Sequence, residues 1–178
     1  MDERNQVKGV QETAGLGEFG QLFRQHLKEY HHVETDKEFG DDFIKGHLAG
    51  RHTLIPVSIF SDKKLSALEA IVKYLRENES LRNADVAQLL GRSPASVWIT
   101  YRNAAKKLGK KIQVSDSEIF IPTDIIASGR LSVLESVSMH LHETYHLSYR
   151  KIGELLQRDE RTIWTVCSRA RKKGVAAK

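Results

Sequence analysis

Two groups of side chains in this chain have the types and the spacing for chemistry. The first is His142-Glu143-Thr144-Tyr145-His146, which matches H-E-x-x-H. On a helix, two histidines four residues apart share a face and can hold zinc, with the glutamate as base. The second group is polar and basic. Arg161, Thr162, Thr165 and Ser168 recur at helical spacing, followed by Arg169, Lys172 and Lys173. Ala95, Ser96, Ile99 and Arg102 stand at the same spacing earlier in the chain, followed by Asn103, Lys106 and Lys107. Arginine donors, hydroxyls and small apolar groups on one helical face suit base edges in a DNA major groove. Cations further along such a helix meet phosphate.

These groups are related because the chain repeats itself. Shifted by 66 positions, residues 55–108 lie on residues 121–174 without a gap. Ile55-Pro56 falls on Ile121-Pro122, Leu65-Ser66-x-Leu68-Glu69 on Leu131-Ser132-x-Leu134-Glu135, and Trp98 on Trp164. Leu89-Leu90-x-Arg92 falls on Leu155-Leu156-x-Arg158, and Ala104-x-Lys106-Lys107 on Ala170-x-Lys172-Lys173. About a third of the aligned positions are identical. An internal repeat fixes the architectural unit.

The repeat weighs against zinc. The counterparts of His142, Glu143 and His146 are Arg76, Glu77 and Ser80, so the shared unit has no metal pair. Leu147-Ser148 opens a new element directly after His146, and no clear third ligand follows. No metal and no cofactor is assigned. A phosphate loop, a nucleophile elbow and telling paired carboxylates are also missing from the sequence, so an enzyme is not expected.

Each repeat reads as three helices behind a Pro-led start. In the first they run near 64–78, 83–91 and 94–108, with Leu65, Leu68, Ile71, Val72 and Leu75 along one face of the first. Ser93-Pro94 is an N-cap followed by proline at the first helical position. In the second repeat helices are expected near 130–146, 148–157 and 159–173, capped by Ser148 and Asp159. Between the repeats GKKIQVSDSEIF reads as an extended linker or a small hairpin. Residues 1–52 match neither repeat. They begin polar, then show apolar residues at helical steps: Phe19, Leu22, Phe23, Leu27 and Tyr30. The expected organisation is all-α. An N-terminal extension, 1–52, precedes two three-helix units, 53–112 and 113–178.

Charge follows the same division. Residues 1–52 are net −3, residues 53–112 net +6 and residues 113–178 net +2. Positive charge gathers at the end of each repeat, where it offsets a helix dipole or meets a polyanion. The single Cys167 excludes an internal disulfide and reads as a packing residue. With no apolar leader, no membrane span and no disulfide, a cytoplasmic protein is expected.

The local pattern is that of a helix-turn-helix. Val86-Ala87-x-x-Leu90-Gly91-x-Ser93-x-x-Ser96-Val97 supplies a small residue at the helix crossing, an apolar residue before the turn and glycine for a positive φ. Ile152-Gly153-x-x-Leu156-Gln157-x-Asp159-x-x-Thr162-Ile163 repeats it, departing at Gln157. With its opening Leu-Ser-x-Leu-Glu and closing Ala-x-Lys-Lys, each repeat resembles the C-terminal domain of bacterial RNA polymerase sigma factors, which reads the −35 promoter element. The resemblance covers about three-fifths of the chain and implies a DNA-reading third helix. It does not imply a sigma factor, because residues 1–52 are too short and too poor in aromatic and basic residues for promoter melting. Trp98 and Trp164 also stand where the family carries polar or basic residues.

With Val97 facing the core, helical geometry turns Ala95, Ile99, Arg102 and Lys106 outward, with Ser96 and Asn103 on a flank. The same geometry turns Arg161, Thr165, Ser168 and Lys172 outward, flanked by Thr162 and Arg169. The base-reading candidates are thus Ala95, Ser96, Ile99, Arg102, Arg161, Thr162, Thr165 and Ser168. Arg161 is placed for a bidentate contact to guanine. The phosphate candidates are Asn103, Lys106, Lys107, Arg169, Lys172 and Lys173, with Arg82, Tyr149, Arg150 and Lys151 from the second helices. Trp98 and Trp164 either pack on the first helix of their repeat or stack at the DNA. Arg92 and Arg158 either meet phosphate or pair with Glu69 and Glu135.

The function these residues imply is a regulator binding double-stranded DNA through two units. The alternative is a sigma-like adaptor on RNA polymerase, with the same helices as a protein surface. A linker holding both units in one orientation would set direct rather than inverted half-sites.

Overall fold

A strand in each repeat brings the two repeats together. The computed structural model describes residues 53–115 and 117–174. The expectations for residues 1–52 lie outside the described residues. Strand β1 is Leu54–Pro56 and strand β2 is Phe120–Pro122. They pair antiparallel, with Leu54 opposite Pro122, Ile55 opposite Ile121 and Pro56 opposite Phe120. A 3-10 turn, Val57–Ser61, follows β1, and the short helix α4, Asp124–Ala127, follows β2. The other helices are α1 (Ala67–Glu77), α2 (Asn83–Leu89) and α3 (Pro94–Lys107) in the first repeat. In the second they are α5 (Val133–Glu143), α6 (Tyr149–Leu156) and α7 (Glu160–Lys172). The described residues are therefore mostly helical, with three long helices per repeat at the expected places. The strand pair was not expected.

Local chemistry sets these helices. The repeated Leu-Ser-x-Leu-Glu is a capping box. Ser66 accepts from the Glu69 N–H, and Glu69 accepts from the Ser66 N–H at 2.8 Å. Ser132 and Glu135 do the same, again with 2.8 Å for the return bond. Ser93, Ser148 and Asp159 cap α3, α6 and α7 through the N–H of Ser96, Lys151 and Arg161. Helix α2 opens at Asn83 as expected, and Asp85 accepts from the backbone N–H of Arg82 at 3.2 Å.

The turn before each third helix is left-handed. Gly91 has φ +60° and its counterpart Gln157 has φ +51°. A left-handed residue with a side chain costs about 1–2 kcal/mol relative to its relaxed conformation. Gln157→Gly is therefore expected to stabilise the fold by about 1 kcal/mol, read as a raised midpoint in urea unfolding. A lowered midpoint would mean that the Gln157 Nε2 bond to the Glu154 carbonyl, 2.9 Å, outweighs the backbone strain.

The two repeats share one core. Ile55, Ile59, Leu65, Ile71 and Leu75 of the first and Ile121, Met139, Leu141, Ile152 and Ile163 of the second belong to a single buried cluster. All described residues lie within one unit, Arg51–Lys178. The segment 108–119 is thus not a free tether. Asn78 donates to the Ile112 carbonyl at 3.1 Å, and the Val57 N–H donates to the Ile119 carbonyl at 3.0 Å.

The strand register is that of a local two-fold axis. Applying the 66-residue shift to one member of each pair and reversing it for the other returns the same set of pairs, and Ile55 opposite Ile121 sits at the centre. The flanking bonds obey the same operation. Val57 N–H to Ile119 carbonyl, 3.0 Å, is the image of Thr123 N–H to Thr53 carbonyl, 3.1 Å. The turns add to the seam. The Ala127 carbonyl crowds Gly91, and the Arg158 guanidinium donates to the Leu65 carbonyl at 2.8 Å. The expectation of two units held in one orientation by a linker is corrected here. Antiparallel pairing of equivalent strands inverts one repeat relative to the other.

Candidate nucleic-acid interface

Helices α3 and α7 are seated through equivalent positions, Val97 with Ile163 and Ala104 with Ala170. Val97 and Ala104 of α3, and Ile163, Cys167 and Ala170 of α7, are buried. The end of each helix is tied to the start of the first. Lys107 Nζ donates to both carboxylate oxygens of Glu69 at 2.8 Å, and Lys173 Nζ donates to Glu135 at 2.7 Å. Burial pushes both carboxyls up, but the bonds from lysine and from the capping serine outweigh it and hold them below the ordinary glutamate value. Each depressed carboxyl contributes stability above its unfolded pKa that is lost as pH falls through the folded one. Sequence reasoning missed these pairs, although Glu69/Glu135 and Lys107/Lys173 are repeated together.

The outward faces are open. Ala95, Ile99 and Arg102 are exposed on α3, and Ser96 is half-buried. On α7, Arg161 and Thr162 are exposed, while Thr165 and Ser168 are half-buried. Thr165 Oγ1 donates to the Arg161 carbonyl at 2.7 Å, which commits its proton to the helix. Arg161 and Thr162 are thus the exposed side-chain donors near the start of α7.

The tryptophans depart from the packing reading. Trp98 is 47% exposed and Trp164 is 57% exposed. A core wall on the first helix would have covered both. The Arg102 guanidinium instead lies 4.7 Å from the centre of the Trp98 ring, so this arginine stacks along its own helix.

The phosphate candidates divide by what they already hold. Lys106, Asn103, Arg169 and Lys172 are exposed, and none of them is in an ion pair among the described residues. Lys107 and Lys173 carry the glutamate pairs above. Arg82 pairs with Asp85 at 2.9 Å, and Arg150 and Lys151 share Glu154 at 3.5 and 3.6 Å. Tyr149 is half-buried, its ring centre 4.7 Å from that of His142. Arg158 does not pair with Glu135, because its guanidinium bonds the Leu65 and Gln157 carbonyls. Arg92 is exposed, and the Glu69 carboxylate is taken by Lys107.

The H-E-x-x-H pattern does not lie on one helix. Helix α5 ends at Glu143 and His146 has φ +52°, so His142 and His146 do not share a helical face. His142 Nδ1–H donates to the Leu147 carbonyl at 2.8 Å, as Arg76 donates to the equivalent Leu81 carbonyl at 2.6 Å. Among the described residues no group of three or more His, Cys, Asp or Glu is placed to hold a metal ion. His140 is packed edge-on against Tyr145, and burial lowers its pKa. No helix among the described residues is long and apolar enough to cross a membrane.

No family model, curated protein or solved structure matches this chain.

Proposed function

We propose that this chain is a non-enzymatic transcriptional regulator that binds duplex DNA, with α2–α3 and α6–α7 acting as two helix-turn-helix units. The observation that carries this reading is the open outer face of α3 and of α7. Two helices at equivalent positions present polar and cationic groups outward, behind a capped, left-handed turn of one design. Arg161 and Thr162 with Ala95, Ser96 and Ile99 suit base edges, and Lys106, Arg169 and Lys172 suit phosphate.

Binding of labelled duplex pools before and after substitution tests the assignment. Arg161→Ala is expected to cost about 1–3 kcal/mol on the preferred site and to relax base preference there. Lys172→Ala is expected to weaken all sequences about equally. An Arg161→Ala protein that selects the same sequence as wild type would remove Arg161 from the reading role.

A second reading is an adaptor on RNA polymerase or another protein, and the exposure of Trp98, Ile99 and Trp164 supports it. Aromatic residues are enriched in protein–protein interfaces. Replacing both tryptophans by alanine separates the two. Retained duplex affinity with lost polymerase association would assign the ring faces to a protein.

A further inference from the structure

The strand register fixes the orientation of the two repeats. From it we infer that one chain recognises an inverted, asymmetric pair of half-sites in duplex DNA. The inference rests on the duplex-reading role proposed above. Equivalent residues Ile55 and Ile121 face each other across the axis, and the bonds at Thr53, Val57, Ile119 and Thr123 are images of one another. The half-turn is carried outward by inference from the strands to the helices that follow them in the same order in each repeat, α3 and α7 among them.

A duplex has dyads perpendicular to its axis that exchange its two strands. A two-fold protein engages such a dyad, which is why paired helix-turn-helix units read palindromic operators. A direct repeat needs the units related by translation along the groove, and the pairing of β1 with β2 forbids that. The shared core also fixes the spacing, since Gly91 lies against Ala127 and Arg158 bonds Leu65 across the seam.

The half-sites cannot be identical. Lys106 and Lys172 are the same residue at equivalent positions, so that phosphate contact follows the two-fold, while Asn103 stands against Arg169. The reading positions have diverged: Ala95 stands against Arg161, Ser96 against Thr162, Ile99 against Thr165 and Arg102 against Ser168. The half-sites are thus inverted in direction and unlike in bases.

Grafting one face onto the other tests this. The variant Ala95→Arg, Ser96→Thr, Ile99→Thr, Arg102→Ser gives α3 the reading face of α7, at positions that are exposed or half-buried. Wild type and variant select from a random duplex pool, with circular dichroism confirming that both fold. The expected result is two unlike motifs at one fixed spacing for wild type, and a perfect inverted repeat at the same spacing for the variant. Should the variant not fold, the reciprocal graft Arg161→Ala, Thr162→Ser, Thr165→Ile, Ser168→Arg makes the same test. Inserting five base pairs, about half a helical turn, between the selected motifs is expected to weaken binding at least tenfold. A direct repeat, a single half-site or freely variable spacing would overturn this inference while leaving DNA reading in place. No enrichment and no duplex binding by the folded wild type would overturn the DNA-reading role, and this inference with it.

Discussion

Affinity for duplex DNA is expected to fall about a thousandfold between 50 and 200 mM monovalent salt. The ground is the exposed Lys106, Arg169 and Lys172 together with the net charge of +6 over residues 53–112. If some six phosphates are neutralised, log affinity falls with log salt at a slope of about −5, from roughly 0.9 per phosphate. Fluorescence anisotropy on one duplex across the salt range measures the slope directly. A flat profile would show that the cations serve the helix ends alone. The pairs at Lys107–Glu69 and Lys173–Glu135 set an upper limit on the slope, because those lysines already hold a carboxylate.

Gly91→Ala is expected to destabilise the fold by about 2–5 kcal/mol. Two effects add. An alanine at φ +60° costs about 1–2 kcal/mol. Its Cβ would also stand 2.5 Å from the Ala127 carbonyl oxygen, and forcing backbone apart in a packed seam costs about 1–3 kcal/mol. Gly129→Ala is the control. Gly129 has φ +66° with nothing within 4 Å of an added Cβ, so only the first cost applies. Urea unfolding of both variants separates seam from strain. Equal losses would show that the seam relaxes freely around Gly91.

Much of the fold was legible because one-dimensional signals set it. The 66-residue shift, the caps at Ser93, Ser148 and Asp159 and the apolar face of α1 are all local. Gly91 and Gln157 were placed at a turn by their neighbours alone, and both are left-handed. The strand pair was hidden for a physical reason. Three residues are too few to show alternation, and Pro56 and Pro122 argue against a strand in any local reading. The orientation of the repeats was hidden more deeply. A shift shows which residues are equivalent, but only contacts show whether rotation or translation relates them.

The candidate site divides in the same way. Helical stepping placed Ala95, Ile99, Arg102 and Arg161 outward, and these are exposed, whereas Thr165 and Ser168, also placed outward, are half-buried. It could not foresee that Arg102 would lie over the Trp98 ring, which depends on rotamers. Nor could it foresee that Arg158 would cross the seam to Leu65, 93 residues away. The exposure of both tryptophans was open because about 100° from the core direction is the edge of a helix's buried stripe.

The pairing of β1 with β2 also sets a timetable for synthesis. Ile55 leaves the ribosome well before Ile121, and translation proceeds at about 5–20 residues per second. The 66 residues between them take roughly 3–13 s at those rates. During that interval β1 has no partner in its own chain, and an apolar strand with open backbone groups is a template for a neighbouring nascent chain. Slow codons between the repeats would lengthen this exposure, and dense polysomes would bring unpaired first strands together. The yield of folded protein thus depends on how quickly the second repeat is made as well as on final stability.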